Sequence, residues 1–290
     1  MTHDGSIALI ASEYACVRVF DSNCNFVREF GFEWMQAKYG RFSGVCCGRG
    51  DQRDCIVVAN YYDTCVHVAT KFGDLIRTIS CEHGYPTSVC VDLHNNIHVS
   101  THSCKIEVFS WHGEPLRVFS IKRMWASDDG LDLCFDAIHN QLLVSDYRGN
   151  CIHVLSPDGD PIHVIGCRGS ASEGLRSPHG ICVGGQNTRP SGERSVSCLV
   201  VAETTLHRVS IYTWDGKQER LVTTIGKEGD GPTELRAPCG VCMDTTGRLV
   251  VTDHGNHRVH VIGPAATRAA LLGCLLSEHL TTKSALPDCI

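Results

Sequence analysis

The sequence predicts an all-β fold, a six-bladed β-propeller of four-stranded antiparallel blades, from three observations. First, the stretch Ala237 to Ile262, APCGVCMDTTGRLVVTDHGNHRVHVI, returns in weakened form five more times. The apolar anchor of its third strand is Val19, Val68, Val108, Val154, Ile211 and Val261, at spacings of 49, 40, 46, 57 and 50 residues. Second, each unit holds apolar runs of four or five residues, too short for helices, broken by Gly, Asn, Asp and Pro. Third, the innermost run of the best-formed unit, Gly240 to Asp244, is apolar on both faces, as a strand covered on both sides by neighbouring blades requires.

The elements follow in order. The first copy, IALIASEYACVRVF, begins at its second strand, Ile7 to Ala11, so the first blade is expected to be incomplete at its N-terminus. FSGVCCGRGDQRDCIVVANYYDTCVHVA, YPTSVCVDLHNNIHVSTHSCKIEVF and GLDLCFDAIHNQLLVSDYRGNCIHVL supply the second, third and fourth units. The fifth reads SPHGICV, then an insertion, then SCLVVAETTLHRVSIY. The insertion, Gly184 to Ser197 (184–197), is polar and turn-rich, and reads as a surface loop rather than a domain boundary. The sixth unit predicts strands at Gly240 to Asp244, Leu249 to Asp253, Arg258 to Ile262 and Ala269 to Leu272. Thr246-Gly247 and Gly255-Asn256 are its turn pairs, because Gly and Asn reach positive φ cheaply. Residues 1–290 therefore read as a single propeller. Its first blade lacks an inner strand, and the tail at 274–290 is expected to approach and partly close it, since Ser284 to Ile290 starts like such a strand.

The unit resembles the NHL repeat, whose usual form is P-x-G-V-A-V-D, then I-x-V-A-D, then N-H-R-V-x-V-F. Pro238, Gly240, Val241, Asp244, Val250, Asp253, Asn256, His257, Arg258 and Val259 fill that pattern. Gly226 to Arg236 looks like the family's glycine-rich link between blades. Other copies drift: Leu131-Asp132-Leu133 lacks the proline and glycine, and Ser100-Thr101 lacks the aspartate. The resemblance implies a domain like the one that closes tripartite-motif ubiquitin ligases, several of which bind RNA or protein partners. No RING, B-box or coiled coil is present in the sequence, so ligase activity would need residues beyond it.

Composition narrows the function classes. The net charge of −6 argues against a domain-wide nucleic-acid footprint. The start, MTHDGSIALI, does not read as a signal peptide, and no apolar run is long enough to span a membrane. Eighteen cysteines could suggest a disulfide framework. Yet Cys46, Cys90, Cys134, Cys182 and Cys242 share one register, the alanine of the family's inner strand. Cys55 and Cys198 share a second register, and Cys16, Cys65 and Cys151 a third. Such repetition fits small apolar packing residues, so these are expected to be buried free thiols in a cytoplasmic protein.

Chemistry-bearing motifs are few. Cys239 and Cys242 have zinc-like spacing but sit three apart on a strand, on opposite faces. Amidating lyases of similar fold hold zinc through inner-strand histidines; here only His179 is in such a place, with Cys239, Thr87, Ser43 and Gly130 at the equivalent positions. Lactonase-like propellers hold calcium with inner-strand carboxylates, but Asp92, Asp136 and Asp244 stand at strand ends and are expected to cap turns. His254 and His257 read as turn residues. No catalytic residue, metal site or cofactor is therefore predicted, with a zinc- or calcium-dependent propeller enzyme as the alternative.

What remains is a surface. The loops joining second to third strands, and those between blades, share one face. It is expected to carry Tyr14, Tyr61, Tyr62, Tyr147, Arg148, Arg208, His254 and Arg258, with Trp34, Tyr39, Arg41, Tyr85, Trp125, Arg176 and Arg236 from the interblade loops. Arginine and aromatic residues suit protein hot spots and stacking on single-stranded RNA. The expected partner-binding set is Tyr61, Tyr62, Tyr147, Arg148, Arg41, Arg176, Arg236 and His254. The expected partner is a protein first and single-stranded or hairpin RNA second, with no membrane and no small-molecule substrate. Arg208 and Arg258 are expected to serve the scaffold.

Overall fold

A computed structural model describes residues 5–11, 16–34, 41–121, 131–166, 174–187, 196–244 and 246–264. The fold is all-β and of the six-bladed propeller class, with every sheet antiparallel and meandering in sequence order. The chain divides into two compact units, Met1–Ile181 and Cys182–Ile290. Among the described residues no helix is long and apolar enough to cross a membrane.

Four sheets belong to the first unit. The first has three strands, β1 (Ile7–Ala11), β2 (Cys16–Phe20) and β3 (Phe26–Phe30). The second holds β4 (Phe42–Cys47), β5 (Cys55–Asn60), β6 (Cys65–Thr70) and β7 (Leu75–Ser80). The third holds β8 (Pro86–Val91), β9 (Ile97–Thr101), β10 (Lys105–Phe109) and β11 (Pro115–Ser120). The fourth holds β12 (Leu133–Asp136), β13 (Gln141–Asp146), β14 (Cys151–Leu155) and β15 (Pro161–Ile165). The fifth sheet has β16 (Pro178–Asn187), β17 (Val196–Glu203), β18 (Arg208–Trp214) and β19 (Glu219–Ile225). The sixth has β20 (Pro238–Met243), β21 (Leu249–Asp253) and β22 (Arg258–Ile262).

Apolar burial between successive sheets holds each unit together. In the first unit Val17, Trp34, Phe42 and Ile56 join sheets one and two; Val57, Val66, Val89 and Val99 join two and three; Ile106, Val108, Leu133 and Leu142 join three and four. In the second unit Val200, Ile211, Leu249 and Val251 join sheets five and six. Each such side chain contributes about 1.5–3 kcal/mol when fully buried. Inner strands come close: a Cβ at Gly44 would stand 2.7 Å from Ser88 Cα, so the glycine lets β4 and β8 approach.

Several expectations are met. The strands at 7–11, 249–253 and 258–262 lie where the pattern puts them, and among the described residues the first sheet has no inner strand. Asp92 caps its turn, accepting from the His94 and Asn96 N–H groups at 2.8 Å each. Asp136 does the same for Ile138 and His139, and Asp244 for Thr246 and Arg248. All fifteen described cysteines are free.

Others need correction. Of the five inner-strand cysteines only Cys90 is buried; Cys46, Cys134, Cys182 and Cys242 are half-buried, because inner strands such as β4, β12 and β20 are covered less completely than the second strands β5, β13 and β21 beside them. The insertion at 184–197 is shorter than it reads: β16 runs on to Asn187 and β17 starts at Val196, their extended backbones pairing where the composition suggested a loop. β20 starts two residues before Gly240. Trp34, expected on the binding face, is 6 % exposed. Its ring lies 5.5 Å from Phe30 and 6.2 Å from Phe42, so burial of its large apolar area outweighs exposure. Tyr14, Tyr39, Trp125, Gly130, the strand at 269–272 and the tail at 274–290 lie outside the described residues.

Candidate binding face

The second-to-third strand loops of sheets two, three and four start with a ring: Tyr61 after β5, His102 after β9 and Tyr147 after β13. Backbone bonds fix the first two. The Tyr61 N–H donates to the Arg41 carbonyl at 2.8 Å, and the His102 N–H to the Tyr85 carbonyl at 3.0 Å, tying each loop to the residue before its own inner strand.

This geometry brings distant residues together. Tyr61 stacks on Tyr85 with centroids 4.8 Å apart and planes at 18°. Tyr62 meets Tyr61 edge-on at 5.2 Å, and the Arg41 guanidinium carbon stands 5.5 Å from the Tyr61 centroid. Tyr85 reaches the His102 ring at 5.2 Å. Arg41, Tyr61, Tyr85 and His102 thus form a continuous row on two adjacent sheets, with Tyr62 at its side. Gly84 has φ +127°, and a Cβ there would lie 3.1 Å from His102 Nδ1, so the row needs a glycine beside it. Tyr62 is 50 % exposed and Tyr85 40 %. Arg41 is exposed as well.

A second group sits at the fourth sheet. Tyr147 meets the His179 ring edge-on at 6.2 Å, and Arg148 and Arg176 are exposed. The Ser177 N–H donates to Asn150 Oδ1 at 2.8 Å, which ties the Arg176 segment to the Tyr147 loop. Beneath it lies Asp132, where the family pattern has lost its glycine. Its carboxylate accepts from Ser88 Oγ at 2.6 Å and from the Ile181 N–H at 3.0 Å. Burial raises its pKa, opposed by those hydrogen bonds and by the nearby His179.

In the second unit Arg236 and His254 are both exposed, and the Gly255 N–H donates to the Arg236 carbonyl at 2.8 Å, which holds their loops together. Arg258 is a scaffold residue: it pairs with Asp253 at 2.9 Å and donates to the carbonyls of Asp230, Gly231 and Glu234. Arg208 pairs with Glu203 at 3.0 Å in the same way.

The expected set is thereby refined. Tyr62, Arg148, Arg41, Arg176, Arg236 and His254 are exposed, whereas Tyr61 and Tyr147 are only half-exposed, because neighbouring rings cover them. His102 joins the face although no local signal marks it, and so does His179, which the sequence offered only as a lyase-like ligand; their place in the repeat register is the signal that finds them. The positions a lyase-like zinc set would use serve the scaffold: Ser43 donates to the Pro86 carbonyl at 2.7 Å, and Thr87 bonds Ser100 at 2.9 Å.

Known proteins place this architecture. Residues 235–262 match the NHL repeat family. Over 40 residues the chain is 48% identical to Protein lin-41 of Caenorhabditis elegans; the match spans 14% of this chain and 4% of that protein. An auxiliary nutrient binding protein from Bacteroides thetaiotaomicron superposes with a TM-score of 0.67 at 12% identity, over 89% of this chain and 66% of that one. The hydrazine synthase of Kuenenia stuttgartiensis gives 0.57 at 14% identity over 96% and 78%. BBS1N, solved in complex with ARL6DN, gives 0.55 at 12% identity over 88% and 73%. At these identities the solved structures share the fold alone.

Proposed function

We propose that this six-bladed propeller, whose residues 235–262 match the NHL repeat, is a non-catalytic binding platform that engages a protein partner through the ring-bearing loops of its first unit. The observation that carries this reading is the row Arg41, Tyr61, Tyr85 and His102 with Tyr62 exposed beside it. Rigid rings offer large contact area at low entropic cost, and an arginine beside them adds charge and direction. Arg148, Arg176 and Tyr147 extend the contact on the fourth sheet. Turn capping by Asp92, Asp136 and Asp244, and the scaffold bonds of Ser43 and Thr87, favour binding over lyase-like or lactonase-like catalysis. BBS1N is a propeller-like chain solved with a protein partner, which supports a protein as the ligand class. The free thiols support a reducing, cytoplasmic setting, and the tripartite-motif resemblance supports a role beside a ubiquitin ligase.

The test is affinity capture of partners followed by calorimetry. Tyr62→Ala and Arg148→Ala should each weaken partner binding by about 1–2 kcal/mol without shifting the melting temperature. Unchanged affinity in both variants refutes this face. If RNA is the captured ligand instead, affinity falls steeply with salt, and the ligand class proposed here is wrong.

A further inference from the structure

The repeat places a polar trio on one face of the second, fourth, fifth and sixth blades. A residue ending the second strand lies opposite the first residue of the third strand, and the third strand's next side chain on that face lies two positions on. In the fourth blade Asp146 pairs with Cys151 across β13 and β14, and His153 follows. The Asp146, Cys151 and His153 ligand atoms all lie within 4.8 Å of one another.

Charge sets this trio apart. In the fifth blade the equivalent Glu203 carboxylate is paired with Arg208, and in the sixth Asp253 is paired with Arg258. Both carboxylates are fully buried and need that cation. In the fourth blade the arginine's position is Cys151, while Asp146 remains 2 % exposed. Its oxygens receive the Gly149 N–H at 2.7 Å and face His153 Nε2 at 3.4 Å, and among the described residues no guanidinium or ammonium reaches them. The second blade is the neutral counterpart: Asn60, Cys65 and His67 hold the same places.

From this geometry we propose that Asp146, Cys151 and His153 bind a structural zinc ion, which replaces the arginine of the later blades. One thiolate, one imidazole and one carboxylate form a ligand set of the borderline-soft kind that zinc takes. Tetrahedral bonds of about 2.0–2.3 Å separate nitrogen from oxygen by about 3.3 Å and sulfur from nitrogen by about 3.5 Å. The observed separations are 3.4 Å for His153 Nε2 to Asp146 Oδ2 and 3.6 Å for Cys151 Sγ to His153 Nε2. Binding forms the sulfur–zinc bond and releases the Cys151 thiol proton to solvent. A water takes the fourth position. Gly149 closes the loop over the site, for a Cβ there would lie within the Asp146 carboxylate. The ion would thus fix the loop that carries Tyr147 and Arg148, whether or not that loop binds a partner.

The experiment loads the whole chain with zinc under reducing conditions, removes excess metal and counts the ion retained. Cobalt is then substituted to look for thiolate charge-transfer absorption. Wild type should retain one zinc at this site, with a higher melting temperature than the metal-free protein. Asp146→Asn, which copies the second blade and so should fold, and Cys151→Ser should lose that ion and the cobalt band. The loss in zinc affinity should exceed the roughly 10–100-fold that a missing supporting partner costs. Cys65→Ser should change neither. Absence of retained metal, or retention and a cobalt spectrum unaltered by Asp146→Asn and Cys151→Ser, overturns the proposal.

Discussion

His67 carries no charge at neutral pH. It is 2 % exposed, with its ring 5.4 Å from Trp34 and 6.2 Å from Phe42, and burial pushes its pKa down to about 4 against the opposing charge of Asp63. The unfolded chain takes up this proton near pH 6.5, whereas the folded chain resists until about pH 4. The stability this adds is therefore complete above pH 6.5 and is lost as pH falls through 4. His67→Gln keeps a polar group beside Thr78 and Asn60 and removes the titration. Denaturant titrations should show the wild type losing about 2–3 kcal/mol more than the variant between pH 6.5 and 4. Parallel curves would show that His67 is protonated in the fold. Nothing local in CVHVAT marks this histidine as buried and neutral; the rings that cover it come from residues 34 and 42, and only the packed sheet assembles them.

At the scale of the strand and its loops, Arg258 joins β22 to the segment before β20. Its guanidinium meets Asp253 and three carbonyls at 2.7–2.9 Å. Asp253 is fully buried and also accepts from the Arg236 N–H at 2.6 Å and Asn256 Nδ2 at 2.8 Å. Removing the cation leaves that carboxylate uncompensated. Arg258→Met should therefore destabilise by about 2–4 kcal/mol, and Arg258→Lys by most of that, since an ammonium cannot span four acceptors. Equal stability of Arg258→Lys and wild type in urea unfolding would refute the clasp. This element was legible in advance: Asn256, His257 and Arg258 fill a repeat pattern, and short alternating runs located β1, β21 and β22 to the residue. The contacts between repeats were not. Arg49 donates to the Val91 and Phe135 carbonyls at 2.8 and 3.1 Å, bridging three sheets, yet it sits in a turn where the repeat has no arginine. The Tyr61–Tyr85 stack likewise depends on the offset between neighbouring blades, which a period along the chain does not contain.

Over the whole molecule, two properties shape what it can bind and where it can work. A net charge of −6 leaves nucleic-acid affinity to a local patch, so the exposed arginines 41, 148 and 176 of the first unit would have to supply it against the background field. The second property is the thiol content. Burial raises the pKa of Cys46 and Cys90, and Cys90 is raised further by Cys46 and Cys134 on neighbouring inner strands. Burial also lifts Cys65, to about 12, and Cys81. Such thiols stay protonated and react slowly, which suits packing and not redox exchange. Exposed Cys24 should be the fast-reacting group. Colorimetric thiol titration of protein purified without oxidant should thus show few reactive groups in the native state. At least fifteen should react in guanidinium without reductant, one for each described free cysteine among the eighteen of the chain. A count below fifteen would mean that strands carrying these residues are cross-linked. The register argument would then fail at its root, because side chains repeated at one radius on successive blades would be paired covalently and not packed.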